Sequence, residues 1–124
     1  MRLMAILAGL SLAAAPAEAH HSFAMFEATK TLTLKGTVTQ FSWTNPHVYL
    51  FIDVDGTNWG VELTSPGNLT RVGWNRNIVK PGDKVEVEVN PLRDGKHGGG
   101  FRQMTLANGQ VLRARLFDLE GKAG

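Results

Sequence analysis

The sequence predicts an all-β protein with one short helix, arranged as a small closed barrel. Apolar and polar residues alternate in several segments, as they do in strands that bury one face. The tight-turn pairs Asp55-Gly56 and Asn108-Gly109 separate some of these segments. Only the stretch after Ser65 carries the start and stop signals of a helix. A small β-sandwich or an SH3-like barrel would show the same alternation, and both remain alternatives.

Residues 1–19 are expected to be a cleaved signal peptide. Arg2 is a positive start, residues 3–15 are an apolar run, and Ala17–Ala19 matches the A-x-A cleavage pattern. The apolar run is shorter than the roughly 20 residues of a membrane span, although a retained anchor is the competing interpretation. We therefore expect an exported, periplasmic protein with a single domain over residues 20–124 and no membrane span after cleavage.

The composition excludes several classes of function. The 124-residue chain has no cysteine, which removes disulfides, thiol nucleophiles, iron–sulfur clusters and cysteine-type zinc sites. Its 13 basic and 11 acidic side chains give a net charge of only +2 with no block of like charge, so we expect no nucleic-acid partner. The sequence also lacks the common hydrolase, metalloprotease and phosphate-binding motifs, so we expect no enzymatic activity.

The first half of the chain predicts three strands. The first covers residues 31–43, with Gly36 as the easiest position for a bulge. Asn45-Pro46 ends it, because proline lacks a backbone donor and restricts the residue before it. The second strand covers residues 47–54 with clean alternation, and the third follows the Asp55-Gly56 turn.

The second half predicts a helix and three further strands. Ser65 caps a short helix that begins at Pro66. A fourth strand over residues 84–89 precedes a glycine-rich loop over residues 91–100, and strands over 101–106 and 111–117 flank the Asn108-Gly109 turn. A long, bent first strand and a helix between the third and fourth strands are typical of an OB-like barrel. The last strand is then a C-terminal hairpin strand added to five barrel strands.

The expected mature N-terminus, His20-His21, is a candidate metal site. A terminal histidine offers its α-amine and its Nδ1 to one ion, and a second imidazole completes a three-nitrogen arrangement known as a histidine brace. All-nitrogen tetragonal ligation favours Cu(II), and a terminal amine with a pKa near 7.7–8.0 loses its proton to a metal at little cost. In a variant of this site, the amine, the deprotonated amide and the imidazole of His21 bind the ion.

His47 and His97 are the remaining candidate ligands. His47 lies where the loop after the first strand meets the second strand, and His97 lies in the predicted loop between the fourth and fifth strands. These two loops border the same face of an OB barrel, which would bring the two histidines towards each other. The competing interpretation is that His20 and His21 are a solvated chain start, that His47 caps a strand, and that His97 is a loop histidine.

A second candidate surface is aromatic. Tyr49 and Phe51 lie on the outer face of the second strand, with Phe41 and Trp43 nearby. Such rings can stack on a ligand, but apolar outer patches are usually covered. We therefore favour a small second cluster in which Phe23 and Phe26 of the N-terminal segment pack on these rings.

A set of short motifs runs through the whole mature chain. They are His20-His21-Ser22-Phe23-Ala24-Met25-Phe26, Leu34-Lys35-Gly36-Thr37-Val38, Trp43-Thr44-Asn45-Pro46-His47, Glu62, Ser65-Pro66, Leu69, Gly73-Trp74, Lys80-Pro81-Gly82-Asp83 and Pro91-Leu92-Arg93-Asp94-Gly95. With these motifs the chain resembles a family of small exported bacterial proteins of unknown function. The resemblance implies export to the periplasm and a small β-barrel, and it implies no particular activity.

The sequence thus predicts a periplasmic copper protein that handles metal rather than catalysing a reaction. Its candidate ligands are His20, His21, His47 and His97. The alternative is a periplasmic accessory module without metal, which engages a protein partner or a small ligand through the aromatic face.

Overall fold

A computed structural model describes residues 24–116 of the chain as a closed β-barrel with one extra strand. Its elements are β1 (Leu32–Ser42), β2 (Tyr49–Val54), β3 (Thr57–Glu62), α1 (Pro66–Arg71), β4 (Lys84–Pro91), β5 (Gly98–Leu106) and β6 (Val111–Arg113). The ring runs β1–β2–β3–β5–β4 and back to β1, and β6 pairs with β5 outside it. The prediction of a small OB-like barrel with five strands, one short helix and a C-terminal hairpin strand is confirmed.

β1 is long because it pairs with two strands. Residues 32–37 pair with β4, and residues 37–42 pair with β2. The predicted bulge at Gly36 is wrong, because the register shifts between Val38 and Gln40. Gly36 has a different role: a Cβ atom there would collide with the carbonyl oxygen of Asp53, so glycine lets β2 approach β1 closely.

The barrel interior is filled by the alternating apolar residues of its strands and by one residue of the helix. The fully buried side chains of this core include Val38, Val48, Leu50, Ile52, Val61, Leu63, Leu69, Val87, Val89, Phe101 and Met104. Burial of one such side chain contributes about 1.5–3 kcal/mol. The Ser65 hydroxyl accepts from the Asn68 amide at 3.2 Å, which confirms the predicted cap of α1.

The glycine triplet at residues 98–100 is part of a strand, so the predicted loop over residues 91–100 is too long. β5 begins at Gly98 and pairs in parallel with β3, and this pairing closes the ring. A Cβ atom on Gly98 would lie 2.8 Å from the carbonyl oxygen of Gly60, and one on Gly99 would lie 2.6 Å from that of Asn90. Glycine is needed here because neighbouring backbones approach closely, and flexibility is not the reason.

The C-terminal hairpin is shorter than predicted. Gly109 has a φ of 87°, as the tight turn requires, but β6 covers only Val111–Arg113 rather than residues 111–117. Beyond β6 the Ala114 amide donates to the Arg102 carbonyl at 3.4 Å, and Leu116 is fully buried near Gly100. Within residues 24–116, no helix combines the length and the apolar character needed to cross a lipid bilayer.

Candidate metal centre

His47 and Glu62 form a close pair on the outer face of the barrel. His47 lies two residues before β2, and Glu62 is the last residue of β3. The Nδ1 atom of His47 lies 2.5 Å from Oε1 of Glu62, and the two side chains are only 19% and 11% exposed. A carboxylate oxygen accepts hydrogen bonds, so Nδ1 is the nitrogen that donates. The ring nitrogen of His47 that would bind a metal is therefore Nε2.

Tyr49 completes this cluster. It lies directly opposite Glu62 in the β2–β3 register. Burial raises the pKa of the Tyr49 phenol, and the charge of Glu62 and a hydrogen bond to its carboxylate raise it further. The phenol therefore stays neutral beside the Glu62 carboxylate. His47 and Tyr49 thus both lie next to this one carboxylate.

The outer face beside Glu62 is covered by a second apolar cluster. Gly100 pairs with Glu62 across β3 and β5. A Cβ atom on Gly100 would lie 3.4 Å from Leu116 and 3.6 Å from Phe26, so both side chains lie over this glycine. Phe26 is buried in the way expected for a covering residue, whereas Phe23 lies outside the described residues.

The other aromatic residues divide between the two sides of the barrel wall. Tyr49 and Phe51 stack with ring centroids 6.3 Å apart on the outer face, and Tyr49 is 37% exposed. Phe41 and Trp43 instead pack against the barrel core, because the register shift in β1 turns this part of the strand inward. The expectation that all four rings share one outer cluster is therefore not met.

The N-terminal segment from Ala24 to Lys30 is attached to the start of the β4–β5 connection. Arg93 donates from Nε to the Ala24 carbonyl at 2.9 Å and from its backbone amide to the Met25 carbonyl at 2.8 Å. The Glu27 amide donates to the Pro91 carbonyl at 2.9 Å. This attachment through Arg93 is not predicted by the sequence, because an isolated arginine in a turn carries no local signal of its partner.

Asn90 holds the other end of the same segment. Its side chain is fully buried, and Nδ2 donates towards the carbonyl oxygens of Glu27, Ala28 and Lys30 at 3.4, 3.3 and 2.8 Å. A polar residue that directly follows the buried Val89 on β4 is the signal that sequence analysis could have used. Asn90 and Arg93 together fix the path of residues 24–30.

His97 lies apart from His47. Its ring is exposed and packs on the Trp59 indole, with centroids 4.9 Å apart. Trp59 and Glu62 are three residues apart on β3, which corresponds to about 10 Å along the strand. The structure therefore does not bring the two histidines together.

No group of three or more histidine and acidic side chains that could hold a metal occurs within residues 24–116. His20 and His21 lie outside the described residues. Ala24 follows His20 by four residues, which extend to at most about 14 Å. A site at His47 with three such side chains would therefore need a ligand from outside residues 24–116.

The family comparison covers most of the chain. The model of the DUF6152 family, described as a family of unknown function, matches residues 8–102. The chain has no significant match among curated proteins or among solved structures. Since the matched region includes more than half of the sequence, the chain belongs to the DUF6152 family, a family of unknown function.

Proposed function

We propose that this protein binds Cu(II) through the α-amine and imidazole of His20, with His47 as the second imidazole. The proposal assumes export to the periplasm and cleavage after Ala19. Its role is metal handling or delivery rather than catalysis. The observation that carries the proposal is the buried carboxylate of Glu62 on Nδ1 of His47.

A carboxylate behind an imidazole is the usual support for a metal-binding histidine. It selects the tautomer, fixes the direction of the ring and raises the basicity of the nitrogen that faces the metal. Glu62 fits this role because it is nearly buried and lies directly opposite Tyr49 on the paired strand.

The position of the N-terminal segment supports the proposed participation of His20. Phe26 lies over Gly100, which is the neighbour of Glu62 across one strand spacing of about 4.8 Å. The described part of the N-terminal segment thus packs beside the strand position of Glu62. Four residue steps separate His20 from Ala24, and they extend to at most about 14 Å.

The chemistry of the proposed ligands favours copper. An amine and two imidazoles form an all-nitrogen donor set, which suits tetragonal Cu(II) better than the other first-row divalent ions. The variant site that uses the His21 imidazole and the amide before it would also bind Cu(II), but without His47. His97 is left out of the proposed ligand set because its ring lies about 10 Å along β3 from the Glu62 position.

The test is a Cu(II) titration of protein that begins at His20, compared with the same protein carrying one added N-terminal alanine. We expect tight one-to-one binding and a nitrogen-rich EPR spectrum from the first protein. The added alanine moves the amine away from His20 and should abolish the tight site. Equal and weak binding by both proteins would refute the proposal.

A second candidate function rests on the outer aromatic surface formed by Tyr49 and Phe51. Their rings are inclined by only 21°, and Tyr49 is partly exposed. Such a surface could bind a protein partner or a small ligand without any metal. A binding module of this kind should tolerate the added alanine, whereas the copper site should not.

A further inference from the structure

β6 is an edge strand of the sheet. It covers Val111–Arg113, and within residues 24–116 it pairs only with β5, so no described strand lies on its other side. An unpaired edge presents backbone donors and acceptors to which another extended chain can bond. The edge of β6 is therefore a candidate docking surface, and it carries none of the proposed copper ligands.

The ladder between β5 and β6 shows which backbone groups point outward. The Leu106 amide donates to the Gln110 carbonyl at 2.9 Å, so the backbone groups of Gln110 face β5. In an antiparallel pair, residues that bond to the partner strand alternate with residues whose backbone groups point away from it. The N–H and C=O groups of Val111 and Arg113, one and three positions further along, therefore point away from β5.

The side chains at this edge fit an acidic partner. One row of side chains crosses three strands, with Glu88 on β4, Gln103 on β5 and Arg113 on β6. Arg113 is exposed, and its Nε donates at 3.4 Å to the neutral amide oxygen of Gln103. Opposite charges stabilise directly facing positions on two strands, and like charges destabilise them. The next position in this row suits a carboxylate, and the position beside Val111, which is 45% exposed, suits an apolar side chain.

We propose that the edge of β6 binds an acidic segment of a partner protein in extended conformation. The segment adds as an antiparallel strand, with a carboxylate opposite Arg113 and an apolar side chain opposite Val111. The outward N–H and C=O groups of these two residues bond to its backbone. A second copy of β6 fits less well, because it brings another arginine to the edge where a carboxylate is needed.

The experiment is an NMR titration, with two short peptides, of protein that begins at His20 and ends at Gly124. The probe is acetyl-Thr-Glu-Thr-Val-Thr-amide, and the control peptide has lysine in place of glutamate. We expect the glutamate peptide to shift the backbone amide signals of Val111 and Arg113, and to bind about threefold or more tightly than the lysine peptide. Equal binding of the two peptides would overturn the acidic partner. Unchanged β6 signals with both peptides would overturn the docking surface.

A charge reversal separates docking from a general effect on the fold. Arg113→Glu should reverse the preference, so that the lysine peptide binds more tightly than the glutamate peptide. A loss of folding cannot produce such a reversal. A preference that stays the same in Arg113→Glu would overturn the proposed pairing.

Val111→Pro tests the backbone contact. Proline removes the outward N–H at this position but no hydrogen bond to β5, and proline is tolerated on edge strands. We expect the glutamate peptide to bind about threefold or more weakly to this variant. Val111→Thr, which keeps the N–H, is the matched control and should bind within about twofold of wild type. Equal binding by both variants would overturn strand addition.

A dilution series without peptide tests the second copy as the occupant. We expect the amide signals of β6 to be independent of protein concentration. Shifts at Val111 and Arg113 that grow with protein concentration would show that another copy of the chain occupies this edge, and they would overturn the acidic partner.

Discussion

His47 and His97 differ in what holds their imidazole rings. Nδ1 of His47 donates to the buried carboxylate of Glu62, whereas the ring of His97 is exposed and packs on the indole of Trp59. A ring stack fixes the plane of an imidazole but does not select one of its nitrogens. A carboxylate does select one of the two ring nitrogens, because it accepts a hydrogen bond only from the protonated nitrogen. Two histidines in neighbouring loops of one barrel are therefore unequal as ligands.

The most direct test of this difference is to remove each imidazole ring in turn and measure the Cu(II) affinity. His47→Ala should weaken Cu(II) binding by about 100-fold or more, since even the loss of a supporting outer partner costs 10–100-fold. His97→Ala, the matched control, should change the affinity less than about twofold. The measurement is competition titration against a chelator of known affinity. Equal losses in the two variants would show that the environment of His47 has no special role.

Gly98, which follows His97, and Gly100, which pairs with Glu62, offer a second contrast, in stability rather than affinity. Gly98→Ala should lower the free energy of unfolding by about 2 kcal/mol, because the new methyl group meets the carbonyl oxygen of Gly60 and the side chain of Leu92. Gly100→Ala should change stability little, because its Cβ would lie at ordinary contact distance from Leu116 and Phe26. Urea unfolding measures both, and the reverse ranking would contradict the parallel β3–β5 pairing.

Glu62→Gln tests whether the charge of the carboxylate beside His47 contributes to Cu(II) affinity. The amide oxygen can still accept from Nδ1 of His47, but the charge that raises the basicity of the imidazole is lost. We expect Cu(II) affinity to fall about tenfold. Glu86→Gln is the control, because Glu86 is an exposed acid on β4 whose partner Lys35 lies 3.9 Å away. An affinity that does not change in Glu62→Gln would reduce this pair to a structural contact.

The exposed Lys80–Asp83 pair gives the smallest expected effect. Hydrogen bonds from the Lys80 side chain and backbone lower the pKa of Asp83 from its ordinary value of 3.8. Its folded pKa is depressed, so the pair stabilises the protein above pH 3.8 and loses this contribution as the pH falls through the folded pKa. Asp83→Asn should slightly lower the free energy of unfolding at neutral pH. The difference from wild type should shrink as the pH falls below 3.8 and vanish below the folded pKa of Asp83. A gap that persists in urea unfolding there would show that charge is not its cause.

Local patterns predicted most of the strands but not their exact limits. The caps and turns at Ser65 and Gly109 were predicted because they depend on neighbouring residues. The bulge in β1 was misplaced because its position depends on how Val38 and Gln40 pair with β2. The glycines at 98–100 were assigned to a loop because their composition resembles one, whereas their use is set by the backbones beside them.

At the candidate site, His47 was predicted from the sequence but Glu62 was not, for the same reason. His47 stands out in the sequence because only four histidines occur in the chain. Glu62 does not stand out, because alternation places it on the outer face, where a glutamate is normally exposed. Its burial arises from Tyr49 on the paired strand and from the segment that contains Phe26.

By itself, the sequence determined the apolar–polar alternation within the strands, the capped helix, the hairpin turns and which histidines are available as nitrogen ligands. These features depend on residue types and on neighbours a few positions away. Only the tertiary structure decided that Gly100 lies beside Glu62, that Glu62 holds His47, and that Arg93 holds Ala24. Such contacts join distant parts of the chain, and they exist only once the barrel has closed.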